Sequence, residues 1–152
     1  MEVRPDVLSY STPALTEDIE VTGHVNLELY ASSSAVDTDF TAKLVDVWPN
    51  GYAQNLTEGI VRARYRDSQE KATPLEPGKV YPFDLDLWST SNVFLKGHKI
   101  RLEISSSNFP RFDRNLNTGK IAANDQTSVK ATNTIYYDAK HPSTLLLPVV
   151  GP

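Results

Sequence analysis

The strongest structural signal in this 152-residue sequence is a long alternation of apolar and polar side chains, Ile19-Glu20-Val21-Thr22-Gly23-His24-Val25-Asn26-Leu27-Glu28-Leu29-Tyr30-Ala31. The apolar residues share one parity, which only Gly23 interrupts. A period of two is typical of a β-strand that has one face on a core and the other in water. We therefore predict a strand over residues 19–31, with a bend or bulge at Gly23.

Shorter alternations recur along the chain and are separated by turn residues. They predict strands at residues 40–47, from the Pro49-Asn50-Gly51 turn to about Arg66, and at 81–87, 100–104, 129–137 and 145–150. A change of parity between Leu44 and Val45 indicates a bulge or burial on both faces. Pro82 cannot donate a ladder hydrogen bond, so it predicts a strand start or a sheet edge.

No segment shows a helical apolar period with caps. The pattern predicts an all-β fold, an antiparallel β-sandwich or jelly roll, as a single domain over residues 1–152. Long polar loops at residues 31–39 and 105–124 are where a site would lie.

Composition argues against several classes of function. The chain has no cysteine, which excludes disulfides, thiolate nucleophiles and cysteine-based zinc sites. A net charge of −4 argues against binding to nucleic acid or to an anionic membrane. The sequence has no membrane-spanning apolar run and no signal-peptide pattern at Met1. The absence of cysteine fits a cytoplasmic location, which we favour, and we expect no cofactor.

The chain also lacks the sequence pattern of a serine hydrolase. None of its seven glycines is followed two positions later by serine, so the nucleophile elbow is missing. Its three histidines, His24, His98 and His141, are interpreted as surface or loop residues. We predict that this chain has no catalytic residue and is not an enzyme by itself.

Charged residues concentrate in and next to the polar loops. Asp37 and Asp39 have a spacing that can serve calcium, but they lack the glycine and distal glutamate of an EF-hand loop. The preferred interpretation is that at least one of Asp37, Asp39 and Asp113 forms a charge-assisted bond to an arginine. The candidates for structural or interface roles are Asp37, Asp39, Arg62, Arg64, Arg66, Asn108, Arg111, Asp113 and Arg114.

Two patterns leave a second function open. The run Arg62-Ala63-Arg64-Tyr65-Arg66 places three guanidinium groups on one predicted strand face, for which a structural or interface role is favoured over phosphate binding. Trp48, Tyr52 and Trp88 could form an aromatic platform, although core or rim packing is the commoner role of such residues. The alternative is an autonomous carbohydrate- or small-ligand-binding module.

Several segments, in one order, resemble the C-terminal non-catalytic domain of the cocaine esterase and Xaa-Pro dipeptidyl-peptidase group of serine hydrolases. The most informative are residues 32–47 and Ser105-Ser106-Ser107-Asn108-Phe109-Pro110-Arg111-Phe112-Asp113-Arg114-Asn115, and Asp86-Leu87-Trp88 is a further matching segment. The others lie at residues 4–10, 15–23, 37–51, 90–94, 97–101 and 133–143. The resemblance covers almost the whole chain.

The resemblance implies a jelly roll of galactose-binding-like topology attached to an upstream α/β-hydrolase domain that carries the Ser, Asp and His of catalysis. The parent protein would hydrolyse an ester, a β-lactam side chain or an Xaa-Pro peptide, and the sequence leaves these substrates open. The family domain begins before Arg4-Pro5-Asp6, so the resemblance implies that the first strands are lacking. An exposed edge or groove would follow, covered by a homodimer or by a terminal segment.

Overall fold

The structure, a computed structural model, describes residues 4–121 and 125–151. Its strands are β1 (Leu8–Ser11), β2 (Ile19–Ser33), β3 (Asp39–Val47), β4 (Ala53–Arg62), β5 (Tyr81–Phe94), β6 (Lys99–Ser105), β7 (Asn133–Tyr136) and β8 (Thr144–Leu146). One 3₁₀ turn covers Ala63–Tyr65. Within these described ranges, no helix is long and apolar enough to cross a membrane.

The strands form two antiparallel sheets. Sheet one has the order β1-β6-β3-β4, and sheet two has the order β5-β2-β7, with β8 also paired to β2. The prediction of an all-β antiparallel sandwich is confirmed. The jelly-roll, galactose-binding-like connectivity stays a prediction.

The two sheets enclose one apolar core. The buried face of β2 is the predicted apolar parity, Val21, Val25, Leu27, Leu29 and Ala31, of which none is more than 1% exposed. Phe40 of sheet one meets Phe83 of sheet two at a ring-centroid distance of 4.9 Å. Burial of this apolar surface is the main force that holds the sheets together.

Both predicted strand irregularities are present. The register between β3 and β4 shifts between Leu44 and Val45, and β3 is also buried on both faces except at Lys43, so both explanations of the parity change hold. The register between β2 and β5 shifts between His24 and Asn26, just after Gly23. The one extra residue lies on β5, because Leu87 and Trp88 stand opposite Val25 between the pairs His24–Ser89 and Asn26–Asp86.

Several predicted strand limits are wrong. The return strand was expected to reach Arg66 but ends at Arg62, because the Arg64 amide N–H turns to donate to the Asp37 carboxylate at 3.0 Å. The strands predicted at residues 129–137 and 145–150 are shorter in the structure, where β7 covers Asn133–Tyr136 and β8 covers Thr144–Leu146. Val149 still forms an isolated antiparallel bridge with Val21. Strand β1 was not predicted.

The turns and the edge strand predicted from the sequence agree with the structure better than the strand limits do. The Asn50-Gly51 hairpin joins β3 to β4, and Gly51 adopts a φ of +87° that a β-branched side chain would resist. Pro82 is the second residue of β5, which is an edge strand of its sheet, as predicted. Of the predicted loop at residues 105–124, positions 122–124 lie outside the described residues.

The backbones of the two sheets come into close contact where β4 passes the bulge of β5. A Cβ atom added at Gly59 would lie 2.1 Å from the backbone oxygen of Asp86. The Thr57 hydroxyl donates to the backbone oxygen of Leu87 beside it. Only glycine allows this contact between two backbones.

We expect Gly59→Ala to destabilise the fold by about 3 kcal/mol or more, because neither backbone can move aside without breaking a sheet. Equilibrium urea unfolding measures the change. Gly151→Ala is the matched control, since a Cβ there meets nothing within 4 Å. Equal stability of the two variants would contradict the close approach.

Candidate functional site

The best-built polar site lies where β3 begins and β4 ends. Asp39 is 1% exposed, and Arg62 donates to its two carboxylate oxygens from Nε at 2.9 Å and from Nη2 at 3.0 Å. This paired geometry is the strongest form of a charge-assisted hydrogen bond between side chains. The expected contact between an aspartate and an arginine is therefore present.

A second buried aspartate extends the site. Asp37 is fully buried and accepts the Arg64 amide N–H at 3.0 Å, while the Arg64 guanidinium lies 3.4 Å from its other oxygen. The Asn115 amide donates to both carboxylates, at 2.9 Å to Asp37 and 2.7 Å to Asp39. These five residues form what we call the aspartate–arginine cluster: Asp37, Asp39, Arg62, Arg64 and Asn115.

Asn115 is the member of the cluster that sequence reasoning missed as a site residue. It ends the segment from Ser105 that carries the family resemblance, and that position was its only signal. An asparagine in a polar loop is otherwise typical of a turn.

The cluster also holds the long loop that follows β6. Arg62 Nη2 donates to Asp113 at 3.2 Å, and Arg64 Nη1 donates to the backbone oxygen of Lys120 at 2.9 Å. The hydrogen bonds from Arg62 to Asp39 raise the pKa of this guanidinium above its ordinary value. Arg62 is therefore a permanent positive charge at neutral pH.

A smaller ionic group lies beside the cluster on β4. Arg111 pairs with Glu58, and Lys43 Nζ lies 3.5 Å from the other Glu58 oxygen. Burial disfavours the charged form of Glu58, but the hydrogen bond from Arg111 and the positive charges of Lys43 and Arg111 outweigh it and hold the pKa of Glu58 below its usual range. The group ties the start of the long loop to sheet one.

The remaining candidate arginines lie apart from the cluster. Arg66 donates to the backbone oxygen of Thr73 at 2.7 Å, and its guanidinium lies 4.4 Å from the ring centre of Tyr81. Arg114 lies 4.6 Å from the ring centre of Phe109. Arg62, Arg64 and Arg66 do not share one strand face, because the chain leaves the strand after Arg62. The functional roles of all these residues stay predictions.

The weak calcium alternative at Asp37 and Asp39 conflicts with this geometry. Both carboxylates are turned towards guanidinium and amide donors, which occupy the oxygen atoms that a cation would need. Among residues 4–121 and 125–151, no group of three or more His, Cys, Asp or Glu side chains could hold a metal ion.

The histidines follow the predicted placement with one difference. His24 and His141 lie 3.4 Å from Asp86 and Asp138, respectively. His98 lies in the loop before β6, but its side chain is buried, and its Nδ1 is 2.8 Å from an oxygen of Asp46. Nothing in the sequence indicated that His98 would be buried, because a residue that follows a turn glycine is usually exposed.

The aromatic residues do not form one platform. Trp48 and Tyr52 meet edge to face at 5.3 Å on the hairpin after β3, and the Trp48 ring also lies against His98. Trp88 lies on β5 in the other sheet. Both tryptophans are exposed, with Trp48 packed at the rim and Trp88 projecting outwards.

Two open cavities flank sheet one. A cavity of about 680 Å³ lies over its outer face, and its lining includes Lys43, Arg101, Glu103, Asn108 and Phe109. A second, of about 410 Å³, opens beside β1 and β7 above Phe40 and Ile104.

The second cavity belongs to an uncovered part of the core. Leu8 and Tyr10 pair with the core-facing residues Ile104 and Leu102, yet they are 44% and 37% exposed. The rings of Tyr10 and the exposed Tyr137 meet edge to face at a centroid distance of 5.8 Å. An edge or groove of this kind was expected.

We expect Asp39→Asn to destabilise the fold by about 3–5 kcal/mol, because it leaves the Arg62 guanidinium without its main counter-charge in a partly buried position. Thermal and urea unfolding measure the loss. Asp67→Asn is the matched control, because Asp67 pairs with Arg66 at 3.4 Å from an exposed position. A loss below about 1 kcal/mol, the size seen for surface ion pairs, would contradict a central role for Asp39.

Comparison with known proteins finds hydrolases among those that contain a region similar to this chain. It is 52% identical over 149 residues to a cocaine esterase of Rhodococcus sp. (strain MB1 Bresler), covering 97% of this chain and 26% of that protein. An aminopeptidase from a marine sediment Thaumarchaeota archaeon superimposes with a TM-score of 0.92 at 34% identity, over 98% of this chain and 26% of that one. An alpha-amino acid ester hydrolase superimposes with a TM-score of 0.91 at 34% identity, over 97% and 26%.

The chain therefore spans about a quarter of the length of these relatives. The family model for the X-Pro dipeptidyl-peptidase C-terminal non-catalytic domain matches residues 1–146. This chain belongs to that family of non-catalytic C-terminal domains.

Proposed function

We propose that this chain is the accessory C-terminal β-sandwich of a serine acyl hydrolase or peptidase, folded as one domain. In that protein it acts as a scaffold, forms one wall of the substrate pocket and contributes to subunit contact. The catalytic serine, aspartate and histidine belong to an upstream α/β-hydrolase domain that hydrolyses an ester or amide bond. The family match and the hydrolase relatives support this proposal.

The observation that carries the proposal is that the negative and positive charges of the aspartate–arginine cluster are paired with one another within the domain. Its two carboxylates are neutralised by Arg62 and Arg64, so no strong acid, base or nucleophile faces an open cleft there. A group that performs acid–base chemistry needs access to substrate and an adjustable proton. These charges instead fix loops, which is the task of a scaffold.

The long loop after β6 is suited to form a pocket wall. It is tied to the sandwich at Asn115 through both aspartates, at Arg111 through Glu58, and at Lys120 through Arg64. A loop with so many charged attachments loses little further conformational entropy when a neighbour or substrate packs on it. Rigid support of this kind is what a binding wall requires.

The open side of the sandwich supports a role in subunit contact. Strand β1 is exposed along its whole length, and the described part of the chain pairs it only with β6. Leu8 and Tyr10 of this strand, which pair with the core-facing Ile104 and Leu102, are uncovered. An exposed strand edge next to apolar side chains favours pairing with a second copy.

One observation favours the alternative of an independent small-ligand module. The cavity of about 680 Å³ over sheet one has the size of a ligand pocket and is lined by charged, hydroxyl and aromatic side chains. Chemical shift changes at Arg101 and Phe109 on titration with simple sugars would favour this alternative.

We expect the purified chain to hydrolyse neither p-nitrophenyl acetate nor an Xaa-Pro-p-nitroanilide above the buffer rate. The full-length protein that contains this segment should hydrolyse at least one of them, because the nucleophile lies upstream. Steady-state absorbance at the nitrophenol and nitroaniline wavelengths measures both. Turnover by the chain alone that a serine-directed inhibitor abolishes would overturn the assignment as an accessory domain.

We expect the chain to sediment as a dimer at high micromolar concentration, since pairing would cover the edge of β1 and the groove beside it. Leu8→Lys should shift the equilibrium to monomer, because a charge at the groove opposes apolar contact. Tyr52→Lys is the control and should leave the dimer intact, because Tyr52 precedes β4, which is the opposite edge strand of sheet one. A wild-type monomer at high concentration would refute this part of the proposal.

A further inference from the structure

Trp88 has an unusual backbone conformation for a bulky residue. Its φ is +65°, and the only other non-glycine residue with positive φ in the described part of the chain is Asn117. Asparagine tolerates the left-handed region, whereas tryptophan is strained there by its Cβ and ring. Glycine at this position would carry no such strain.

The fold imposes the bulge but does not need the indole. The Trp88 amide N–H donates to Asp86 Oδ1 at 2.6 Å, and Gly59 leaves room for the Asp86 backbone oxygen. The Thr57 hydroxyl holds the backbone oxygen of Leu87. The Trp88 side chain contributes little to this arrangement, because it is 66% exposed. A strained residue that adds little to its own fold indicates a role outside it.

Trp88 lies on β5, an edge strand of sheet two, whose outer face carries further exposed side chains. Val93 and Leu146 are exposed on this outer face. Their chain neighbours Phe94 and Leu145 point to the other face, where they pack in or against the core. The carboxylates exposed there are Glu20, Glu28, Asp84 and Asp86. The four strands of sheet two contain no lysine or arginine, whereas sheet one contains Lys43, Arg62, Lys99 and Arg101. The face is therefore acidic, with an apolar anchor at its edge.

We infer that this face of sheet two docks on the upstream catalytic region of the parent hydrolase, with the Trp88 indole in an apolar pocket bordered by lysine and arginine side chains. The inference rests on the proposed function. About three quarters of the cocaine esterase's length lies outside the region matched by this chain, which spans 26% of it. Tryptophan is the residue most enriched among interface anchors, and an acidic face selects a basic one.

The first test compares hydroxyl-radical oxidation of the chain alone and of the full-length protein, read peptide by peptide by mass spectrometry. Trp88 should be oxidised at least about fivefold more slowly in the full-length protein, as expected for an indole buried at an interface. Tyr52, an exposed ring on the distant hairpin, serves as the internal control and should change less than about twofold by the same reasoning.

The second test separates docking from folding with Trp88→Gly. In the chain alone the Tm should stay equal or rise, because glycine relieves the backbone strain and little buried surface is lost. In the full-length protein the Tm should fall by several degrees, because the anchor is missing. Glu28→Lys should likewise lower the Tm only in the full-length protein, whereas Tyr52→Ala should act equally in both.

Two results would overturn the inference alone. One is equal oxidation of Trp88 in both proteins, and the other is a large loss of Tm when Trp88→Gly is made in the chain alone, which would assign the indole a folding role. Both are compatible with hydrolysis by the full-length protein only. Hydrolysis by the isolated chain would instead overturn the proposed function, and the docking inference with it.

Discussion

The ion pair between Arg62 and the buried Asp39 is the interaction on which the loop end of this sandwich depends. A charge removed from water is tolerated only when it is paired and hydrogen-bonded. Burial of Asp39 therefore requires the Arg62 guanidinium, which donates to both oxygens of its carboxylate. Arg62 then reaches Asp113, and Asn115 joins Asp39 to Asp37. One ion pair thereby connects the start of β3, the end of β4 and the long loop after β6.

A second constraint acts between the sheets, and it is steric rather than ionic. Gly59 lets the backbone of β4 approach β5 at Asp86, next to the register shift that leaves Leu87 and Trp88 without partners on β2. The core needs Leu87, which is fully buried, and the same bulge turns the next side chain outwards. Packing inside the sandwich thus determines which side chain is presented outside it.

The two constraints together suit an accessory role. The charges of the loop end are satisfied within the chain, while the exposed features are a cavity over sheet one, an open edge at β1 and the acidic face of sheet two. Surfaces that lack partners in one domain are expected where that domain packs against others. The membership of the chain in a family of non-catalytic C-terminal domains agrees with this distribution.

The sequence by itself determined the β class, the antiparallel sandwich, the buried parity of β2, the bulge at Leu44 and Val45, and the Asn50-Gly51 hairpin. These features depend on alternation and on turn residues, which act over a few neighbouring positions. Only the tertiary structure decided that β4 stops at Arg62, since the competing acceptor is Asp37, 27 positions away. The inclusion of Asn115 and the burial of His98 beside Asp46 likewise depend on partners distant in the chain. Local periodicity carries no information about which distant groups will meet, because long-range contacts are selected by packing of the whole core.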